Sequence, residues 1–157
     1  MEAPEVEELT EGDPRDTVAE NARRKVRASD AQERVLGVDT AVVLAGRLFG
    51  KPRDAAEAAS FLRALSGRTH EVMSGIALRE ADGRELVDVA VTRVRMRPIE
   101  DSLLAWYLAT GEWAERAGGY AIQGKGAALV EGIEGDYTNV VGLPVPALLR
   151  LAPDLTR

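Results

Sequence analysis

The chain has 157 residues, 45% of them hydrophobic and 29% charged, with 20 Lys plus Arg against 26 Asp plus Glu for a formal net charge of -6. This is the range of one ordinary domain with a sizeable core, and neither a disordered chain nor a fibrous repeat fits it. The acidic balance repels nucleic acid and anionic membrane, so a polyanionic ligand must find a locally basic pocket. With no cysteine there is no disulfide, thiolate zinc site, iron–sulfur cluster or thiol nucleophile, and the single histidine, His70, argues against histidine-rich metal sites and serine–histidine hydrolysis.

The first residues contain neither the basic nor the apolar region of a secretory signal. The longest apolar run, Val38 to Ala45, is broken by Asp39 and falls far short of a membrane span. A cytoplasmic protein with one domain over residues 1–157 is expected.

After an acidic lead-in, Asp13-Pro14 reads as an N-cap followed by proline at the first helical position, opening a helix to about Ala28. Val18, Ala22 and Val26 form its apolar stripe. Lys25 lies seven positions after Val18 and projects from that stripe, whereas Arg23, Arg24 and Arg27 point elsewhere. Either its stem packs while the ammonium reaches water, or the cation is directed into a pocket.

Val35 to Leu44 is apolar and β-branched and reads as a strand buried on both faces, interrupted by Asp39. Ala45-Gly46 makes a turn, and Leu48 to Lys51 returns as a second strand. A three-residue loop sets Asp39 opposite Lys51; a two-residue turn sets it opposite Pro52 with Lys51 adjacent. In both cases the two charges are expected to be neighbours. An aspartate inside a buried strand is costly unless paired, hydrogen-bonded or bound to metal, which marks Asp39 as a functional candidate.

Asp54 and Glu57 form a capping-box-like pair ahead of a helix with Ala58, Leu62 and Leu65 buried and Gly67 at its end. Thr69 to Arg79 and Arg84 to Met96 read as a hairpin around Asp82-Gly83. Arg93, Arg95 and Arg97 alternate along it, as solvated charges or as a basic strip for phosphates. Leu103 to Ala109 is a short helix ended by Gly111, with Trp106 and Tyr107 as core or interface aromatics. The glycine-rich stretch from Ala117 to Pro144 suits tight turns and close backbone approach. Within it, Gln123-Gly124-Lys125-Gly126 could offer amides and an ammonium to a phosphate, although no P-loop or dinucleotide fingerprint is present.

Several segments together resemble one family: Gly37-Val38-Asp39-Thr40, Gly50-Lys51-Pro52, Leu65-Ser66-Gly67-Arg68-Thr69-His70-Glu71-Val72, Ala117-Gly118-Gly119-Tyr120-Ala121-Ile122-Gln123-Gly124 and Asn139-Val140-Val141-Gly142-Leu143-Pro144. They stand in the order found in the Maf family of nucleoside triphosphate pyrophosphatases. The resemblance implies an α/β fold of the Maf/Ham1-like kind, an elongated mixed sheet with flanking helices bent around a cleft between two lobes. It also implies hydrolysis of a nucleoside triphosphate between its α- and β-phosphates, with a divalent metal cation such as Mg²⁺ or Mn²⁺. Asp39 matches the family's proton acceptor, and Thr40 and Gln123 match residues associated with substrate choice. Lys25 and Lys51 match its inward lysines, and Glu8, or Glu7 with a shift of one, matches an early acidic residue. Asp39 and Glu8 would suffice as the protein's ligands to magnesium.

The Ile-Gln-Gly form resembles the subgroup acting on dTTP and UTP, which leaves room for CTP or modified pyrimidine nucleotides. The implied partner is the nucleotide, with no nucleic acid or membrane, and a homodimer is left open. Members of the family carry an N-terminal strand and a Ser-x-Ser-Pro-Arg-Arg loop that this sequence does not contain. The chain as given is therefore expected to be truncated at its N-terminus and less active and soluble than an extended version. The alternative is a nucleotide-binding module that has lost hydrolysis and bears on septum formation.

Overall fold

The computed structural model describes residues 5–157, and its first helix, α1, spans Pro14–Arg27. The expectation about the start of the chain falls at Met1, outside the described residues. The Asp13 carboxylate accepts from the Asp16 amide, and Pro14 occupies a position where a missing N–H costs nothing. Val18, Ala22 and Val26 are fully buried, as their spacing predicts.

Strand β1, Val35–Leu44, turns through Ala45-Gly46 into β2, Arg47–Phe49. Both turn residues have positive φ, 49° and 78°, the twist that closes a two-residue hairpin. Helix α2, Ala55–Leu65, is capped by Asp54, whose carboxylate accepts from the Glu57 amide. The long hairpin follows as β3, Thr69–Arg79, and β4, Glu85–Met96, and then α3, Asp101–Ala109. A glycine-rich stretch leads into β5, Val130–Glu134, and the chain closes with α4, Tyr137–Val141, and α5, Val145–Leu151.

The five strands form one sheet in the order β2-β1-β3-β4-β5. Every pairing is antiparallel, so among the described residues the sheet is not the mixed one expected. The reason lies in the connections: β1–β2 and β3–β4 are hairpins, and α2 carries the chain from β2 back past it to the far side of β1.

One face of the sheet receives α1. Val18 packs with Ala41, Val43 and Met73, and Ala22 and Val26 pack with Ala77. Val42, Phe49, Leu62, Val72, Val94, Tyr107 and Leu129 build the larger core on the other face, under α2 and α3. The helix lies unusually close: a Cβ on Gly37 would stand 2.6 Å from the Ala22 carbonyl oxygen, and one on Gly75 would stand 2.1 Å from that of Val18. Only glycine admits this approach, and it brings the α1 side chains onto the middle of β1.

β1 is less enclosed than expected. β2 pairs only with Val42, Val43 and Leu44, so Val35 to Ala41 has a strand neighbour, β3, on one side only among the described residues. Leu36 is 40% exposed.

Candidate active site

The open edge of β1 lies in a cleft of about 1030 Å³ lined by α1, β1, the segment from Arg47 to Phe61, the 115–123 stretch and the end of α4. Asp39 and Thr40 point to opposite faces of the sheet by the alternation of a strand. Because no strand covers this edge among the described residues, both still reach the cleft.

Asp39 is the most constrained of the candidates, its side chain only 13% exposed. Asn21 of α1, itself buried, donates from Nδ2 to Asp39 Oδ2 at 2.9 Å. The remaining Asn21 groups bind the acidic segment like a strand partner, Nδ2 donating to Leu9 O at 3.0 Å and Oδ1 accepting from Leu9 N at 2.7 Å. Lys25 Nζ lies 3.5 Å from Asp39 Oδ1, 2.8 Å from Glu8 Oε1 and 2.9 Å from Val38 O. Burial pushes the Asp39 carboxyl above the usual range, against the opposing pull of Asn21 and Lys25.

The inward reading of Lys25 thus describes the molecule, and Glu8 rather than Glu7 stands beside it; Glu7 instead offers its carbonyl to Arg24. The pairing of Asp39 with Lys51 does not form. The two-residue turn sets Leu44 against Arg47, β2 ends at Phe49, and Asp39 pairs across the sheet with Gly75. Lys51 still lines the cleft, 64% exposed, with its Nζ 3.4 Å from Glu115. The Thr40 hydroxyl is 2.8 Å from that of buried Ser74, and Gln123 stands exposed on another wall.

Nor is the cleft locally basic. Lys25, Arg47, Lys51, Arg53 and Arg116 line it together with Glu8, Asp39, Asp54, Glu57 and Glu115, so its formal charge is balanced. Two carboxylates converging on one ammonium are oxygen donors of the kind a hard divalent cation takes while keeping most of its water. Among the described residues no group of three or more acidic or histidine side chains could hold a metal by itself. Glu8 and Asp39 therefore fit an ion whose remaining ligands are water and phosphate oxygens.

The amides of Lys125 and Gly126, expected as a phosphate cradle, are already taken: they donate to Glu112 Oε2 and Oε1 at 3.0 and 2.9 Å. The side chains of Arg93, Arg95 and Arg97 are exposed, with Arg95 paired to Glu131, and they line no part of the cleft. In the Asn-Val-Val-Gly-Leu-Pro stretch, buried Asn139 donates to Val72 O and Thr92 Oγ1 and seats α4 so that Val140 to Gly142 reach the cleft.

Two residues escaped the sequence reading. Asn21 lies three positions after Val18 and four before Lys25, on the apolar face, and a lone amide there was a readable signal. Glu112 carried none, since its partners lie in a distant loop.

The chain matches the family model described as Maf-like protein over residues 1–155. It is 41% identical over 148 residues to a protein of Pyrococcus furiosus, 92% of this chain and 77% of that one. A protein of Ruegeria sp. is 51% identical over 134 residues, 84% and 69% of the two chains, and one of Dictyoglomus thermophilum is 44% identical over 153 residues, 93% and 79%. All three relatives are named dTTP/UTP pyrophosphatase.

Proposed function

This chain belongs to the Maf family, and on that premise we propose that it hydrolyses dTTP and UTP to the nucleoside monophosphate and pyrophosphate, in the cytoplasm. The observation that carries the reading is Asp39, a carboxylate held in an apolar strand yet opening on a large cleft. Nothing in the packing of the sheet calls for a charge there, and replacing buried ion pairs by apolar residues is often neutral or stabilising.

In this reading Asn21 occupies Asp39 Oδ2, and Oδ1, which has only a long 3.5 Å contact with Lys25 Nζ, takes the proton of the attacking water as its oxygen bonds to phosphorus. The bond to the departing pyrophosphate oxygen breaks in the same displacement. Burial, by raising the proton affinity of Asp39, brings it nearer the range in which a base works at neutral pH. Lys25 and Lys51 meet the negative charge of the phosphate chain, and Thr40 and Gln123 contribute to the choice of nucleotide.

The balanced charge of the cleft favours a triphosphate that arrives with a counter-cation over a bare one. Glu8 and Asp39 would hold a divalent ion such as Mg²⁺ or Mn²⁺, whose contribution is to neutralise phosphate oxygens. Among the described residues no helix is long and apolar enough to cross a membrane.

Phosphate detection with and without added inorganic pyrophosphatase, over a panel of nucleotides, tests it. The expected result is phosphate from dTTP and UTP only when the coupling enzyme is present, and only with a divalent cation. Absence of turnover on dTTP, UTP and CTP would overturn the reading. Tight calorimetric binding of nucleotide without release would support the non-hydrolysing module instead.

A further inference from the structure

We propose that Glu112 is the positioning residue of the loop that presents Gln123, and that through this loop it sets how well the site tells one base from another. The role rests on the reading of the reaction given above. Three backbone amides flank Gln123 in the loop, and a clamp of two side chains holds all three. Tyr107, fully buried at the end of α3, accepts from Ala121 N at 3.0 Å and donates to Glu112 Oε1 at 3.0 Å. Glu112 takes Gly126 N on Oε1 and Lys125 N on Oε2. The loop is further closed by Gly124 N donating to Ala121 O at 3.1 Å.

The glycines show how tightly the carboxylate is seated. A Cβ on Gly124 would stand 2.4 Å from Glu112 Oε2, and one on Gly126 would stand 2.3 Å from the Ala121 carbonyl oxygen. The seat lies at the rim of the core: Glu112 is half-buried against fully buried Tyr107, and Gly124 is exposed. The carboxylate stands where an anion bound by those amides would stand, so the loop cannot offer its backbone to a phosphate. What it offers the cleft is the Gln123 side chain, to which no hydrogen bond is made among the described residues.

That amide carries one donor group and one acceptor. Uracil and thymine present an N–H beside a carbonyl on the edge such an amide can read, whereas adenine presents an amino group beside a bare ring nitrogen there. The amide discriminates only if its backbone is held, because an amide on a mobile loop can follow whichever base enters. The amides of residues 121, 125 and 126 are thus fixed so that residue 123 has one position.

The test compares the parent with Glu112→Ala, Glu112→Gln and Tyr107→Phe, measuring kcat and KM for dTTP, UTP and ATP together with hydrogen exchange of the loop amides. For Glu112→Ala, KM for dTTP should rise about tenfold while kcat at saturation stays within roughly threefold, the signature of lost uniform binding. The ratio of kcat/KM for dTTP over ATP should fall by about tenfold, as unpaired polar groups no longer penalise the wrong base. Exchange at Ala121, Lys125 and Gly126 should accelerate. Glu112→Gln keeps one acceptor oxygen and should recover part of the selectivity. Tyr107→Phe removes the hydroxyl that links Ala121 N to Glu112 Oε1 but leaves Glu112 on the Lys125 and Gly126 amides, and it keeps the test readable should Glu112→Ala fail to fold.

An active, selective parent beside equally selective variants overturns the role of Glu112 alone. So does a fall in kcat at constant KM. A parent inactive on every nucleotide overturns the reading of the reaction, and the base-selecting role falls with it.

Discussion

Asp39 of β1 pairs across the sheet with Gly75 of β3, and the Cβ that Gly75 lacks would stand 2.1 Å from the Val18 carbonyl oxygen of α1. The contact that seats the helix is therefore made at the residue beside the carboxylate. It brings Asn21 and Lys25, one and two turns further along α1, within reach of Asp39. Gly75→Ala should push the helix off the sheet, since the obstacle is backbone and cannot rotate away. Overpacking of this kind usually costs about 1–3 kcal/mol, and a rigid contact belongs at the upper end. Thermal melts should show the loss, and turnover should fall further than stability alone explains. A variant with parental melting temperature and rate would show that α1 does not depend on this contact.

Much of this arrangement was legible in the sequence. Val18, Ala22 and Val26 announced the buried side of α1, and the seven-residue step to Lys25 announced its direction, because helical periodicity is local. The hairpin from Thr69 to Met96 was readable for the same reason, through its turn residues. The partner of Asp39 was not. Pairing it with Lys51 required the second strand to continue beyond Phe49, and nothing in the alternation of residues 48–51 reports where a ladder stops. Glu112 was invisible because the amides it binds lie 13 and 14 residues away in a loop without periodicity. Charge balance in the cleft was hidden likewise, since net charge does not report which carboxylates gather.

The two lysines of the cleft should behave differently on substitution. Lys25 is 28% exposed and held by Glu8, Asp39 and Val38 O, whereas Lys51 is mostly exposed with one long contact to an exposed glutamate. Lys51→Ala should change stability by less than about 0.5 kcal/mol, as surface ion pairs do, while raising KM for the nucleotide. Lys25→Ala should lower both stability and turnover, because it leaves two neighbouring carboxylates without their cation. Denaturant melts and steady-state kinetics on both variants decide it. Equal stability losses would mean that the contacts of Lys25 carry no weight.

Asp39→Asn separates charge from shape. The new amide oxygen can still accept from Asn21, and Lys25 keeps Glu8 and Val38 O, so only the long contact from Lys25 to the second oxygen is lost. Since burial already disfavours the charged form, melting temperature should be equal to the parent's or higher. Turnover should fall by about a hundredfold or more, the scale of a lost general base. Activity within about tenfold of the parent would show that the carboxylate does not handle the proton.

The last prediction concerns acid stability and rests on His70. The ring is buried, its Nε2 is 2.7 Å from the Tyr120 hydroxyl, and its Nδ1 has no partner among the described residues. Burial pushes its pKa down from 6.5 to about 4. The unfolded chain therefore takes a proton on this ring as pH falls below about 6.5, while the folded protein refuses it until about 4. In that window the unfolded state binds more protons, so stability falls with falling pH, and below it the loss is complete. At about 1.4 kcal/mol per pH unit the window amounts to about 3 kcal/mol. His70→Phe keeps a ring of similar shape and has nothing to titrate. Its melting temperature should lie below the parent's at neutral pH, because the Tyr120 hydroxyl loses its partner. The gap should then narrow steadily between pH 6.5 and 4 as the parent alone loses the His70 contribution. A gap that stays constant across that range would show that His70 is protonated equally in the folded and unfolded chains, and that its burial does not set the acid limit of the fold.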